Sequence, residues 1–228
     1  ASGASVVVSD VNEAGGAETV ALITAAGGNA VFQRCDVSNG VDVKALVARA
    51  VSEYGRLDFA LNNAGINNLG ANEYDDDVWA RSMGINLTGV MMCMREEAEV
   101  MMAQGKGAIV NTSSINGLVG NGAQPGYTAS KHGVVGLTRH GALRWAQAGI
   151  RVNCVCPGTV DTPSLAERIA AFADPVQARK DFIARQPVLQ GAQPGLGDQR
   201  LRQVFVLFAV PFGQDVQSLL PQPLGRAL

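Results

Sequence analysis

The stretch AVFQRCDVSNGVDVKALVARAVSEYGRLDFAL, residues 30–61, decides the fold. It opens on a β-branched and aromatic run, Ala30 to Gln33, and closes on a second apolar run, Leu57 to Leu61. Between them Val43, Leu46, Val47, Ala50 and Val51 recur at i, i+3, i+4, i+7 and i+8, which lines them along one stripe of an α-helix that Gly55 ends. A strand, a helix and a strand in so short a span form a βαβ unit, whose crossover requires parallel strands.

The same alternation extends in both directions. Upstream, Ser5 to Ser9 reads as a strand and Glu13 to Ala26 as a helix stopped by Gly27-Gly28. Downstream, the pattern predicts a long helix from about Asp76 to Met102, a strand from Ala108 to Asn111, a helix from Pro125 to about Ala148 and a strand from Arg151 to Cys156. Met91, Met92, Met94, Met101 and Met102 read as packing material on the first of these helices. Strands alternating with helices predict an α/β chain, a Rossmann-like doubly wound parallel sheet covered on both faces. With 228 residues, 47% of them hydrophobic, there is enough apolar material for one sizeable core, and no internal repeat is present.

Composition narrows the partners. A formal charge of -2 and a pI near 5.7 leave no electrostatic footprint for nucleic acid or an anionic membrane, so the expected ligand is a small molecule. The apolar run Val204 to Phe212 contains Pro211 and is too short to span a bilayer, while the opening Ala1-Ser-Gly-Ala-Ser5 lacks the pattern of a signal peptide. A soluble cytoplasmic protein is the expectation. Cys35, Cys93, Cys154 and Cys156 are scattered, and read as small buried hydrophobes rather than metal ligands. After Pro187 helical periodicity fades, Gln, Pro and Gly crowd in, and Lys and Glu disappear. Residues 1–187 therefore read as the domain and 188–228 as an atypical segment. A shifted reading frame near Pro187 would account for it; one uninterrupted frame in independent isolates would reject that hypothesis. Val204 to Ala209 is still expected to lie as a helix or strand against the sheet.

The chemistry centres on Tyr127-Thr-Ala-Ser-Lys131, which sets a phenol and an ammonium on one helix face. Tyrosine, with a pKa near ~10, is a poor base at neutral pH, but a cation held nearby favours the phenolate and makes it usable for an alcohol/ketone pair. Ile109-Val-Asn-Thr-Ser-Ser114 ends a strand in hydroxyls, so Ser114 can donate to a substrate oxygen beside Tyr127. In a parallel sheet, ligands bind at such carboxyl ends. Asn62-Asn63-Ala64-Gly65 and Pro157-Gly-Thr-Val-Asp-Thr162 follow strands to the same edge.

Together these segments resemble the classical short-chain dehydrogenase/reductase family from about Ala4 to Leu165. Asn62-Asn63-Ala64-Gly65, Asn86 in Ile-Asn-Leu, Ser114 thirteen residues before Tyr127, Lys131 and Pro157-Gly-Thr-Val-Asp-Thr162 stand in family order. The resemblance implies an oxidoreductase moving a hydride between a nicotinamide cofactor and a secondary alcohol or ketone. By it Tyr127 is the general acid/base, Ser114 orients the substrate oxygen, Lys131 lowers the tyrosine pKa and holds the nicotinamide ribose, and Asn86 binds a proton-relay water. Val160 and Thr162 would contact the carboxamide, Asn63 and Gly65 the adenine-side ribose, Asp36 and Val37 the adenine. Asp10, directly after a strand, can accept both ribose hydroxyls of NAD and repels the extra phosphate of NADP, so NAD is the expected cofactor. The family also implies a helical substrate lid over about 163–186 and a homotetramer joined through two long helices.

Duller readings stand beside these. Asp10 can be a helix N-cap, Ser113 and Ser114 strand-end caps, and Asn86 a buried polar group that bends its helix. His132 and His140 suit surface helix positions, and Gly117 to Gly122 a loop over the site. Relative to the family, the first strand and its glycine-rich turn do not occur in the sequence, so the fold is expected to be N-terminally incomplete, with the phosphate-binding half of the site missing and strands next to the gap exposed. A catalytically silent binding or scaffold protein is the alternative this favours. A sugar epimerase or dehydratase with the same Tyr-x-x-x-Lys chemistry is a third reading.

Overall fold

A computed structural model describes residues 3–68, 72, 74–122, 124–159, 163–184 and 207–208. Strand β1 (Ser5–Asp10) pairs in parallel with β2 (Asn29–Arg34), Ser5 opposite Asn29 and Asp10 opposite Arg34. Helix α1 (Glu13–Ala25) joins them. Its N-cap is Asn12, whose side chain accepts from Gly15 N at 3.1 Å, so Asp10 is not the cap. Gly16 is buried beneath Phe32, where any Cβ would collide with the ring, and this sets how closely α1 approaches the strands. Helix α2 (Gly40–Tyr54) is capped by Asn39 and closed by Gly55 in the left-handed conformation, φ 74°, its N–H on Val51 O.

The second ladder runs β3 (Phe59–Asn62), β4 (Gly107–Thr112) and β5 (Ile150–Val155), all parallel, with β6 (Leu207–Phe208) antiparallel on β5. Part of the apolar run Val204 to Ala209 thus lies against the sheet, as a strand; the rest of 188–228 is outside the described residues. Helix α5 (Pro125–Trp145) precedes β5, and α6 (Pro163–Ala170) and α7 (Pro175–Ala184) occupy the expected lid segment.

One expectation needs correction. The long helix predicted from Asp76 to Met102 is three pieces: α3 (Asp76–Met83), a π-helical turn at Gly84–Gly89, and α4 (Val90–Gln104). Gly89 presses on the chain after β2, where a Cβ would stand 2.9 Å from Val37 Cγ2 and 3.0 Å from its carbonyl oxygen. The wider turn carries Asn86 inward, and it is completely buried. The parallel sheet has the expected gap: it forms two ladders, and among the described residues no strand pairing joins β1 to β3. Alternation along β3 turns Ala60 and Asn62 into the protein and leaves Phe59 and Leu61 57% and 56% exposed.

The main core lies where α4 and α5 pack on β3, β4 and β5. Met101, Ile109, Val134, Ile150 and Val152 are almost wholly buried there, each such side chain contributing about 1.5–3 kcal/mol of transfer free energy. Met94 joins them, but Met91 and Met102 are largely exposed, so the methionine run is only partly core. All four cysteines are buried: Cys35 and Cys93 pack with Val43 between α2 and α4, and Cys154 and Cys156 with Val135. No described helix is long and apolar enough to cross a membrane.

Candidate active site

Helix α5 starts at Pro125, whose fixed φ suits a first helical position, and carries Tyr127 and Lys131 one turn apart. Lys131 is only 4% exposed. Its Nζ donates to Thr112 O, the last carbonyl of β4, at 2.9 Å and lies 5.6 Å from the centroid of the Tyr127 ring. Burial lowers the lysine pKa to about 8, with Cys156 acting weakly the other way. The ammonium is thus retained at neutral pH, fixed beside the phenol by the strand end and the ring face.

The hydroxyls that end β4 have separate tasks. Ser113 Oγ donates to Lys131 O at 2.8 Å and so locks the strand to α5. Ser114 caps the short 3₁₀ turn Ile115–Gly117, its oxygen accepting from Asn116 N at 3.2 Å. The capping reading of Ser114 is therefore true of its oxygen, and does not use the hydroxyl proton. Gly117 sits against this junction: a Cβ there would collide with Ser113 Oγ and stand 2.7 Å from Lys131 O.

Asn86, from the π-turn, grips the loop after β3. Its Oδ1 accepts from Ile66 N at 2.8 Å and its Nδ2 donates to Ile66 O at 2.9 Å. A weaker bond runs to Ser130 Oγ at 3.4 Å. Gly65 is the meeting point of these groups. A Cβ on it would lie 3.2 Å from Asn86 Oδ1 and 3.5 Å from Lys131 Nζ. A side chain here would press on Asn86 and come into contact with the lysine head.

From Gly65 a crevice of about 650 Å³ runs along the ends of β1 and β2, lined by Asp10, Arg34, Asp36, Val37, Gly65 and Ile66 among others. Asp10 Oδ1 accepts from Asn12 N at 2.9 Å, and its carboxylate is exposed at the strand end. Asp36 accepts from Ser38 N at 2.9 Å and Ser38 Oγ at 2.6 Å, which holds its carboxyl below the usual range. Arg34 is within 3.6 Å of Asp42 and 3.8 Å of Glu13. Asn63 is exposed on the same strand-end loop. Val160 and Thr162 lie outside the described residues. His132 and His140 are exposed on α5, His132 bonded to Thr128 O at 3.0 Å.

The structure thus brings Tyr127, Lys131, Asn86 and Gly65 together, Gly65 at one end of the crevice and Asp10, Asp36 and Val37 further along it, while Ser114 follows the end of β4 one residue beyond Ser113, which is bonded to Lys131 O. Sequence reasoning missed a buried polar chain beneath them. Asn62 Nδ2 donates to Glu97 Oε2 at 3.1 Å and to Asn111 Oδ1 at 3.0 Å; Asn111 Nδ2 donates to Thr138 Oγ1 at 2.9 Å; Thr138 donates to Val134 O at 2.7 Å. The readable signal was a polar residue at each otherwise apolar inward position: Glu97 on α4, Asn62 on β3, Asn111 on β4 and Thr138 on α5.

Comparison with known proteins identifies the family. Residues 1–171 match the family model for short chain dehydrogenase. A 3beta-hydroxysteroid dehydrogenase from Mediterraneibacter gnavus is 46% identical over 188 residues, which are 81% of this chain and 66% of that relative. The cis-4-hydroxycyclohexanecarboxylate dehydrogenase of Sinomonas cyclohexanicum is 44% identical over 195 residues, 84% of this chain and 75% of its own. The chain therefore spans about two thirds of the length of curated relatives it matches. Among solved structures, a variant of actinorhodin polyketide ketoreductase with NADPH superposes with a TM-score of 0.73 at 36% identity, covering 80% of this chain and 73% of the other.

Proposed function

This chain belongs to the short-chain dehydrogenase/reductase family, and we propose that it transfers a hydride between NAD(H) and a secondary alcohol or its ketone, with Tyr127 as general acid/base. The observation that carries the proposal is the Lys131 ammonium, buried and fixed 5.6 Å from the Tyr127 ring while Ser114 keeps a hydroxyl proton at the adjoining strand end.

In the oxidative direction the Tyr127 phenolate accepts the alcohol proton while Ser114 donates to the same substrate oxygen; in reduction Tyr127 returns that proton. Lys131 favours the phenolate through its charge and offers its remaining N–H donors to ribose hydroxyls. Asn86 holds Ile66 in place, and with it the loop that keeps Gly65 clear of the lysine. When bound, the nicotinamide supplies the hydride acceptor or donor. The residues present fit it: the crevice is long enough to join Gly65 to Asp10, and Gly65 leaves open the space that a Cβ would fill.

For the cofactor, the exposed Asp10 carboxylate favours NAD. Arg34 lines the same crevice and could meet an extra phosphate, as the NADPH held by the polyketide ketoreductase invites one to consider. Its guanidinium is already shared between Asp42 and Glu13, which supports NAD. The named substrates of the relatives, a hydroxysteroid and a hydroxycyclohexanecarboxylate, support a ring-borne carbinol. An outer groove between α4 and α5, lined by Leu87, Met91, Gly133 and Leu137, supports assembly through those helices, and a cytoplasmic setting completes the proposal.

Replacing Tyr127 with Phe is expected to abolish turnover on a panel of cyclic alcohols while leaving NADH affinity, read by fluorescence titration, nearly unchanged. Retained turnover would refute the role of Tyr127. Absence of NADH binding at millimolar concentration would favour the binding-scaffold reading instead.

A further inference from the structure

Glu97 is a carboxyl group with no part in the chemistry above, yet it is buried at 6% exposure on α4, beneath the strand end that leads into the crevice. Its side-chain partner is Asn62 Nδ2, and both hydrogens of that amide are committed, one to Glu97 and one to Asn111. Asn111 in turn spends its donors on Thr138 Oγ1 and Met94 Sδ. The chain therefore runs outward from Asn62 in two directions, through Asn111 and Thr138 to Val134 O on one side and to Glu97, the terminal acceptor, on the other. Asn62 is the last residue of β3, and the next residues are Asn63, Ala64, Gly65 and Ile66.

We propose that Glu97 is a positioning residue, acting through Asn62 to fix the strand end that carries Asn63, Gly65 and Ile66 against Asn86 and Lys131. Two anchors then hold this short loop, the Asn86 amide on Ile66 from one side and the Glu97–Asn62 bond from the other. The second anchor depends on protonation. A neutral carboxyl accepts from Asn62 without difficulty, whereas a carboxylate in this site has a single amide donor to offset its lost hydration. Burial accordingly raises the Glu97 pKa to about 7, with the Asn62 bond opposing. Around it stand Asn62 from β3, Asn111 from β4, Thr138 from α5 and, as titratable neighbours, Cys93 on α4 itself with Cys35 from the α2 side. Burial and the Glu97 charge raise the Cys93 thiol, so it stays neutral, and among the described residues no cation acts on Glu97.

The test is amide hydrogen exchange of the full chain without cofactor between pH 5 and pH 8, corrected for intrinsic rates, in the wild type and in Glu97→Gln. Gln keeps an acceptor for Asn62 and cannot ionise. An opening that exposes Glu97 becomes easier wherever the open form ionises and the closed form does not, on the order of fiftyfold over this range. Residues 60–66 of the wild type should exchange faster than β5 at every pH and lose protection by that factor, and E97Q should stay flat. Equal pH profiles in the two proteins would overturn the proposal. So would exchange of 60–66 at the β5 rate throughout, since Glu97 would then act only on the whole fold. The wild-type contrast between 60–66 and β5 decides the matter even if E97Q does not fold. The consequence for function rests on the cofactor reading: NADH affinity should fall further over the same pH range in the wild type than in E97Q, where only the Lys131 titration remains. Failure to bind NADH at any pH would count against that reading and leave the exchange result standing.

Discussion

Replacing Lys131 with Met should make the cofactor-free protein more stable at neutral pH, at the expense of the chemistry. A lysine whose pKa falls from 10.5 to about 8 on folding carries its ammonium at a cost of roughly 3 kcal/mol. Methionine fills similar space without the charge, but leaves Thr112 O without its 2.9 Å donor, a loss of about 1–2 kcal/mol. The net gain near pH 7 is therefore about 1–2 kcal/mol, or a Tm rise of a few degrees for a chain of this size. The sign changes with pH. The native state binds fewer protons than the unfolded state only between the folded pKa and 10.5, so wild-type stability rises with pH through that window. Below pH 8 the cost is fully present; by pH 10.5 it has gone, and the variant should then be the less stable protein by the lost hydrogen bond. Urea denaturation of both proteins from pH 6 to 10.5, compared at equal m-value, reads this directly. A stability difference that does not vary with pH, or a variant less stable at pH 7, would refute the reasoning that burial of this ammonium is what costs stability.

Gly117→Ala should lower stability by about 1–3 kcal/mol and reduce turnover with it, because the added carbon meets Ser113 Oγ and the fixed Lys131 carbonyl; an unchanged thermal midpoint would show that the junction can yield. Asp10→Ala should raise the NADH dissociation constant by about 10- to 100-fold, the loss of one or two charge-assisted hydrogen bonds, and leave NADPH binding no worse. Equal weakening of both cofactors in parallel fluorescence titrations would count against Asp10 as the discriminating group.

Elements whose pattern is set by the helix and strand periods were legible in the sequence, because Val43, Val47 and Ala50 or Ile109 and Asn111 can satisfy their inward positions in only one way, although Val51, read into the same stripe, is exposed. The π-turn at Gly84–Gly89 was not, since it arises from the approach of Gly89 to Val37, a contact between residues fifty-two positions apart. Tyr127 and Lys131 were visible because four residues bring them to one helix face. Their setting, with Lys131 on Thr112 O and Asn86 on Ile66, depends on how strands end beside one another. The Asn62–Glu97 bond was invisible for a related reason: an isolated Glu on a helix ordinarily faces water, and only packing shows that this one does not.

The break between β1 and β3 divides the crevice mechanically. Asp10 and Asp36 ride on the β1–β2 ladder, while Tyr127, Lys131 and Ser114 belong to the ladder of β3, β4 and β5. The described cluster across the divide is the packing of Val43, Cys35 and Cys93, which resists shear far less than a continuous row of main-chain hydrogen bonds. A dinucleotide gripped at Asp10 and Lys131 together would span both bodies, so part of its binding energy would be spent as a rivet. Its grip would stiffen the scaffold as much as it prepares the reaction.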